Sequence, residues 1–154
     1  MTKFPSIQTR VAGVSFENRD GSLRQTYVRR VKKGDRVLLR REPENLYDPY
    51  ALAVDWLDAD GQSCQLGYVP RGLALVLAPL ADGGAHLSAA VARKGGGGLK
   101  LAGVRITIEV EAPDMPQEQA TGLEPAIARA LADDGPDPFF GPDLAPALGG
   151  DRAR

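Results

Sequence analysis

The stretch GDRVLLRREPENLYDPYALAV, residues 34–54, decides how this chain folds and raises the question of its function. Basic and apolar residues alternate over residues 36–41, which predicts a β-strand, and residues 50–57 predict the next strand. The proline- and asparagine-containing segment between them is typical of a turn. A plain hairpin does not need Tyr47 and Asp48 at its turn, so this corner is either an elaborate structural turn or a ligand site.

Three carboxylates in and beside the turn allow another interpretation, a divalent metal site for hydrolysis. Glu42, Glu44 and Asp48 offer the hard oxygen ligands that such a site requires. No fourth carboxylate or histidine lies at an obvious spacing, and the one histidine, His86, falls on a predicted strand. Asp48 has a simpler use, because a carboxylate also accepts hydrogen bonds from turn amides or from a ligand hydroxyl. We therefore expect no metal, no cofactor and no enzymatic activity.

The composition is that of one globular domain. The chain has 154 residues, 43% hydrophobic and 25% charged, which is long enough for one core and too short for two. A single cysteine, Cys64, excludes an internal disulfide and a cysteine-based zinc site. No apolar run approaches the roughly 18 residues of a membrane span, and the N-terminus lacks the apolar stretch of a signal peptide. These features predict a soluble, cytoplasmic protein.

Charge divides the chain into two parts. Residues 1–111 carry a net charge of +4, and residues 112–154 carry −5. The second part is rich in Pro, Gly and Ala, so we expect it to be largely disordered apart from helical spacing over residues 123–131. Phe139 and Phe140 are unusual in such a segment, and docking on the domain or on a partner is the alternative to a fully mobile end. The sequence thus predicts one domain followed by an acidic tail.

Working outward from the corner, the alternation predicts a mostly β fold. Strands are expected over residues 9–16, 36–41, 50–57, 63–69, 85–93 and 101–111. Three- and four-residue spacing after Pro70 predicts one main helix that ends at Asp82. The four glycines at 95–98 precede a strand and not a helix, so they predict a flexible hairpin loop rather than a phosphate-binding loop. The whole pattern predicts a small β-barrel-like domain, a class that commonly binds nucleic acid or small ligands.

A basic band extends over residues 24–41. Arg36 and Arg40 share one face of the predicted strand, whereas Arg41 lies on the other face. Cations on one strand face suit a nucleic-acid phosphate backbone. The alternative is a solvated strand face balanced by neighbouring carboxylates.

The aromatic residues of the corner also have two interpretations. Tyr47 and Tyr50 pack on the core, as aromatic residues in turns often do. Alternatively, one of them forms a stacking platform for an unpaired base together with Phe16 at the end of the first strand.

Two motifs of this sequence resemble the HIRAN domain, a module found in certain SWI/SNF-type helicase-like ATPases and as a stand-alone bacterial protein. The first motif is GDRVLLRREPENLYDPYALAV, and the second is GQSCQLGYVPRGLALVLAPLADGG, residues 61–84. The matching residues are Gly34, Asp35, Leu39, Arg41, Glu42, Pro43, Asn45, Tyr47, Asp48, Ala51, Val54, Leu66, Gly67, Tyr68, Val69, Pro70 and Ala74. The resemblance covers roughly residues 11–110.

This resemblance implies a modified OB-like β-barrel that captures single-stranded DNA at its free 3′ end. It implies that a Tyr-Asp pair lies beside the terminal nucleotide and that an aromatic residue of the first strand stacks on a base. Carried onto this chain, the implied site consists of Phe16, Asn45, Tyr47, Asp48, Tyr68 and Arg71. The chain departs from end-binding members at Ser15, where they have a basic residue, at Glu17, where they have a second aromatic, and at Leu46, where proline is usual.

The sequence therefore predicts a non-catalytic nucleic-acid-binding module that recognises single-stranded DNA or its 3′ end in DNA repair or replication. Arg36 and Arg40 are predicted to contact the same ligand. No phosphate-binding motif of an ATPase occurs in the sequence, so a separate helicase-like ATPase or nuclease is the expected partner. The alternative is a protein-interaction adaptor that keeps the fold and has lost end capture.

Overall fold

The computed structural model describes residues 1–135 together with residues 137 and 139. In chain order the elements are β1 (Thr2–Lys3), β2 (Ile7–Arg10), α1 (Arg24–Val28), β3 (Arg36–Arg41), β4 (Leu52–Leu57), β5 (Ser63–Tyr68), α2 (Arg71–Asp82), β6 (His86–Gly96), β7 (Ala102–Ala112) and α3 (Gln117–Asp133). The mostly β fold that the sequence predicts is confirmed, and so is the helix that follows Pro70.

The strands form one antiparallel sheet in the order β1-β7-β6-β3-β4-β5, and β2 also pairs with β7. β3 and β4 are joined by the corner turn and pair with Val37 opposite Trp56 and Arg41 opposite Leu52. β6 and β7 form a long hairpin that ends at the glycine-rich turn, with Gly96 opposite Ala102. The hairpin interpretation of this turn is therefore confirmed.

The described strand order does not close into a continuous barrel. One isolated bridge joins the segment after β2 to the far end of the sheet, where Ala12 and Tyr68 exchange two backbone hydrogen bonds of 2.7 and 2.9 Å. Gly67 permits this close approach, because an added Cβ would collide with the carbonyl of Ala12. The segment before Phe16 is thus held against the end of β5.

The core lies between one side of the sheet and α2. Alternate residues of β7 are buried, as a strand with one solvated face requires, whereas β4 is buried over all but its last residue. Leu73 and Leu77 of α2 lie one turn apart, and both are almost completely buried. α2 therefore covers the sheet and fixes the position of its own first residue, Arg71, at the edge of the corner.

Two differences from the sequence predictions lie at the N-terminal side. The first strand ends at Arg10 and not at residue 16, because Gly13 adopts a left-handed φ of 74° and turns the chain. The basic band begins with the short helix α1, which the alternation of apolar and polar residues does not predict. The turn at Gly13 and the helix α1 together place Phe16 and Arg24 beside the corner turn.

The helical spacing over residues 123–131 lies within α3, which extends over Gln117–Asp133, so the expectation of disorder is wrong for the residues of α3 on either side of that stretch. The helix packs on α2 and buries Ile127, and Leu123 and Leu131 pack beside it at four-residue spacing. Burial of this apolar stripe supplies the stabilisation that composition alone does not predict. A deletion from residue 113 onward would therefore remove part of the folded body.

Ion pairs hold the end of this segment on the sheet. Arg10 Nε and Asp134 Oδ2 are 2.8 Å apart, and Arg105 donates to Asp137 at 3.0 Å. Phe139 packs against the core beside Gly103, so it docks on the domain. Phe140 and residues 141–154 lie outside the described residues.

Over the part of the chain that the structure describes, no helix has the length and apolar character needed to cross a membrane.

Candidate nucleic-acid interface

A cleft of about 890 Å³ lies between the corner turn and the segment that follows β2. It brings together six of the eight residues that the sequence predicts for the site: Phe16, Asn45, Tyr47, Asp48, Tyr68 and Arg71. Arg36 and Arg40 do not line it. We call this cavity the end cleft.

Asn45 sets the shape of the corner turn. Its side-chain oxygen accepts hydrogen bonds from the backbone amides of Tyr47 at 2.9 Å and Asp48 at 3.1 Å. Asp48 Oδ1 in turn accepts the amide of Tyr50 at 2.9 Å. These local bonds are the kind that Asn and Asp form in turns. They fix the backbone, so the two side chains between them have defined directions.

Glu42 anchors this turn from below. Its carboxylate is buried, with 8% of the residue exposed, and Oε1 accepts hydrogen bonds from Asn45 Nδ2 at 2.9 Å and from the Tyr68 hydroxyl at 2.8 Å. Oε2 accepts a bond of 2.7 Å from Arg40. Burial alone would raise the pKa of Glu42, but the bonds from Asn45, Tyr68 and Arg40 outweigh it and hold the pKa below its ordinary value. Glu42 is therefore an ionised structural residue.

Arg40 is engaged by carboxylates of the protein itself. Its guanidinium lies 2.6 Å from Asp55 Oδ2 as well as 2.7 Å from Glu42 Oε2. The hydrogen bond to Asp55 is the largest cause of a pKa raised above the ordinary arginine value. Arg36, four residues earlier on the same strand face, is exposed and forms no such pair among the described residues. The shared face that the sequence predicts therefore holds two arginines in different environments.

Tyr47 and Phe16 present their rings to solvent at the cleft. Tyr47 is 88% exposed and Phe16 66% exposed, and the neighbouring Leu46 is 94% exposed. The interpretation that Tyr47 packs on the core is therefore wrong. Exposed aromatic rings on a rigid turn have the geometry of a stacking platform.

Asp48 and Arg71 form the polar end of the cleft. Asp48 Oδ2 lies 3.9 Å from Arg71 Nε, and the Arg71 side chain is 79% exposed. The Arg71 guanidinium also approaches the carbonyl of Tyr47 at 3.4 Å. Oδ2 of Asp48 is thus not used by the turn, and an exposed cation lies beside it.

Arg24 is a residue of the cleft that sequence reasoning did not select. It is buried, donates 2.8 Å bonds to Gly13 O and Asn18 Oδ1, and lies over the ring of Tyr68 at 5.3 Å. Burial lowers its pKa from the ordinary value, but arginine remains charged at neutral pH. The basic band contains Arg24, but no sequence signal distinguishes it from its solvated neighbours. Arg19 also lines the cleft, as does Glu17.

The carboxylates of the corner do not form a metal site. Glu42 is occupied by three donors of the protein, and Glu44 is exposed on the outside of the turn. Within the described part of the chain, no three His, Cys, Asp or Glu side chains are close enough together to hold a metal ion.

Comparisons with known proteins agree with this description. A family model for the HIRAN domain matches residues 5–110. The chain is similar in structure to the HIRAN domain of human HLTF, with a TM-score of 0.56, 20% identity, and coverage of 83% of this chain and 90% of the other. A protein from Lactobacillus plantarum gives a TM-score of 0.49 and 21% identity, with coverage of 71% and 100%. No curated protein matches the sequence. The likeness to the HLTF domain concerns the fold.

Proposed function

This chain belongs to the HIRAN domain family, and on that premise we propose that it is a non-catalytic module that binds single-stranded DNA by its free 3′ end. HIRAN domains are DNA-binding modules. The terminal nucleotide enters the end cleft, its base stacks on an aromatic ring, and its 3′-hydroxyl meets Asp48.

The observation that carries this proposal is the convergence of three distant segments on one cleft. Phe16 follows β2, Asn45 to Asp48 form the corner turn, and Tyr68 and Arg71 flank the start of α2. Their side chains supply aromatic faces, a hydroxyl acceptor and a cation within one cavity. These are the chemical elements that bind an unpaired base, a sugar end and a phosphate.

Stacking supplies most of the affinity in this proposal. Tyr47 and Phe16 are exposed in the free protein, so covering their rings with a base removes apolar surface from water. Base–aromatic stacking contributes about 1–3 kcal/mol per base and does not depend on base identity. The module would therefore bind without marked sequence preference.

Asp48 supplies the preference for the end. Oδ1 is used by the turn, whereas Oδ2 has acceptor capacity left for a hydroxyl. A carboxylate repels a phosphate at the same position, so a blocked 3′ end is disfavoured. Arg71, beside Asp48, offsets this repulsion for the phosphate on the 5′ side of the terminal sugar.

Competition between two oligonucleotides tests the proposal. The wild-type protein should bind an oligonucleotide with a free 3′-hydroxyl more tightly than the same sequence with a 3′-phosphate, and Asp48→Ala should remove the difference. If Asp48 only caps its turn, the variant should lose about 1 kcal/mol of stability with its end preference unchanged. Equal affinity of the wild type for both ends would refute 3′-end recognition.

We place this activity in DNA repair or replication, where free 3′ ends arise, with a separate helicase-like ATPase or nuclease as partner. A second candidate is an adaptor that binds protein, and the 94% exposure of Leu46 favours it. Partners of an adaptor should stay bound after nuclease treatment and dissociate in Leu46→Asp. If nuclease treatment releases them, they were held through DNA, and the first candidate is supported.

A further inference from the structure

A second surface, outside the end cleft, concentrates cations that form no ion pair with a carboxylate among the described residues. It is formed by the segment after α1, the start of β3 and the β6–β7 hairpin, and we call it the basic face. Its exposed members are Arg29, Arg30, Lys32, Lys33, Arg36, Lys94 and Lys100.

The two segments of the basic face are joined by direct hydrogen bonds. Arg29 donates to the carbonyls of Gly98 at 3.2 Å and Lys100 at 2.6 Å, and Lys94 Nζ donates to the carbonyl of Arg29 at 2.8 Å. Carbonyl acceptors satisfy these donors but carry no net charge, so the positive charge of Arg29 and Lys94 remains. The amide of Gly34 also bonds to Val91 O at 2.8 Å. Arg29 and Lys94 are therefore held next to each other and to the turn that carries Lys100, and the segment with Lys32 and Lys33 is held against β6.

Three arginines elsewhere in the described residues have close carboxylate partners. Arg10, Arg40 and Arg41 each lie within 2.9 Å of a carboxylate oxygen. A face that keeps several unneutralised cations together, in a chain whose net charge is −1, requires a separate explanation.

Two carboxylates border the basic face, and both are occupied by the protein. Asp35 Oδ2 accepts the indole N–H of Trp56 at 3.1 Å and the amide of Lys32 at 2.9 Å. Asp58 Oδ1 accepts the amides of Asp60 at 2.9 Å and Gln62 at 2.8 Å. They reduce the positive potential of the face without cancelling it, because they oppose seven cations.

The short helix α1 connects this face to the end cleft. Arg24, its first residue, lines the cleft, and Arg29 follows its last residue on the basic face. Five residues of helix span about 7.5 Å. A DNA strand that enters the cleft and follows α1 therefore reaches the basic face within a few nucleotides. This length agrees with binding sites of roughly 4–16 nucleotides on OB-like folds.

We propose that the basic face binds the sugar–phosphate backbone of the same DNA strand, on the 5′ side of the captured end. This inference rests on the proposed function for its ligand. The face supplies charge and not base recognition, so it extends the footprint and raises affinity with strand length. End selection remains with the cleft.

The test measures binding of the full chain to a trinucleotide and a dodecanucleotide, both with free 3′-hydroxyls, over a salt series. In Lys33→Ala/Lys100→Ala the salt slope for the dodecanucleotide should fall by about 1.4, because each lost phosphate contact removes roughly 0.7 from the slope on single strands. Binding of the trinucleotide should not change. Both side chains are exposed, so the variant should fold normally.

A matched control removes the same charge elsewhere. Lys3→Ala/Arg129→Ala alters two exposed cations on β1 and α3, outside the basic face and the cleft. Equal salt slopes for the two double variants would overturn the proposal, since net charge alone would then explain the effect. The competition between oligonucleotides with a 3′-hydroxyl and a 3′-phosphate is a separate measurement. If the wild type shows no preference in it, end capture is refuted. A slope reduction confined to the basic-face variant, together with an intact preference for the 3′-hydroxyl, supports the proposal.

Discussion

Two of the hairpin connections among the described residues, the corner between β3 and β4 and the glycine-rich turn between β6 and β7, differ in how they support the surfaces that we propose to bind DNA. In the corner, Glu42 and Asn45 bond the turn to itself and to Tyr68. In the other turn, three consecutive glycines have positive φ, and Arg29 is the side chain that holds it, through two carbonyls. The first turn fixes directions, as stacking and hydroxyl recognition require. The second turn brings positive charges close together. Attraction between these charges and a phosphate backbone requires proximity but no exact orientation.

Removal of the Glu42 side chain should have the largest effect on stability, because Glu42 accepts the hydrogen bonds that tie the corner turn to Arg40 and Tyr68. Glu42→Ala removes the acceptor of the half-buried donors of Tyr68 and Asn45 and leaves Arg40 with Asp55 and a long bond to Gln65. We expect a loss of about 2–4 kcal/mol in the free energy of unfolding, measured by urea denaturation. Glu44→Ala is the matched control, since Glu44 is exposed two residues away, and it should change stability little. Equal stability of the two variants would show that the network contributes nothing.

Truncating Tyr47 tests whether the rigid corner serves binding rather than folding. Because the side chain is 88% exposed, Tyr47→Ala should leave the urea midpoint unchanged. Its affinity for single-stranded DNA should fall by about 1–3 kcal/mol, the contribution of one stacked base. Tyr47→Phe retains a ring and should bind nearly as the wild type does. Loss of stability without loss of affinity would contradict the stacking assignment.

A substitution in the glycine-rich turn should have a smaller and purely conformational effect. Gly97 has φ of 100°, and nothing lies within 4 Å of an added Cβ. Gly97→Ala should therefore cost about 1 kcal/mol of stability through backbone strain alone. Salt-dependent DNA binding should be retained, because the neighbouring cations stay in place. A large loss of affinity in a folded variant would mean that this turn also requires a defined shape.

The smallest expected effect is on the pH dependence of stability. It should be seen for a substitution in the corner turn and not for one in the glycine-rich turn. Hydrogen bonds hold the pKa of Glu42 below its ordinary 4.5, so its ionised form stabilises the folded state. That contribution is complete above pH 4.5 and is lost as the pH falls through the lower folded-state pKa. The stability difference between wild type and Glu42→Gln should therefore narrow between pH 5 and pH 3. The same comparison with Gly97→Ala should show a constant difference.

Much of the site is predictable from sequence because it is local. Asn45, Tyr47 and Asp48 lie within four residues, and their turn chemistry follows from side chains that bond to their own backbone. Tyr68 and Arg71 flank Pro70, which marks the start of α2 in the sequence as it does in the structure. Period-two alternation likewise predicts β3, β4, β5 and the β6–β7 hairpin.

The sequence by itself therefore determined the strands, the main helix and the corner turn, since neighbours along the chain encode each of them. Only the tertiary structure decided which partners these elements meet. Arg36 and Arg40 follow the same alternation, but Asp55 on β4 and Glu42 neutralise Arg40 alone. Phe16 reaches the cleft because Gly13 turns the chain. α3 is ordered because Ile127 is buried in the core. These contacts join residues that are far apart in the sequence, so the local periodicity of the sequence does not predict them.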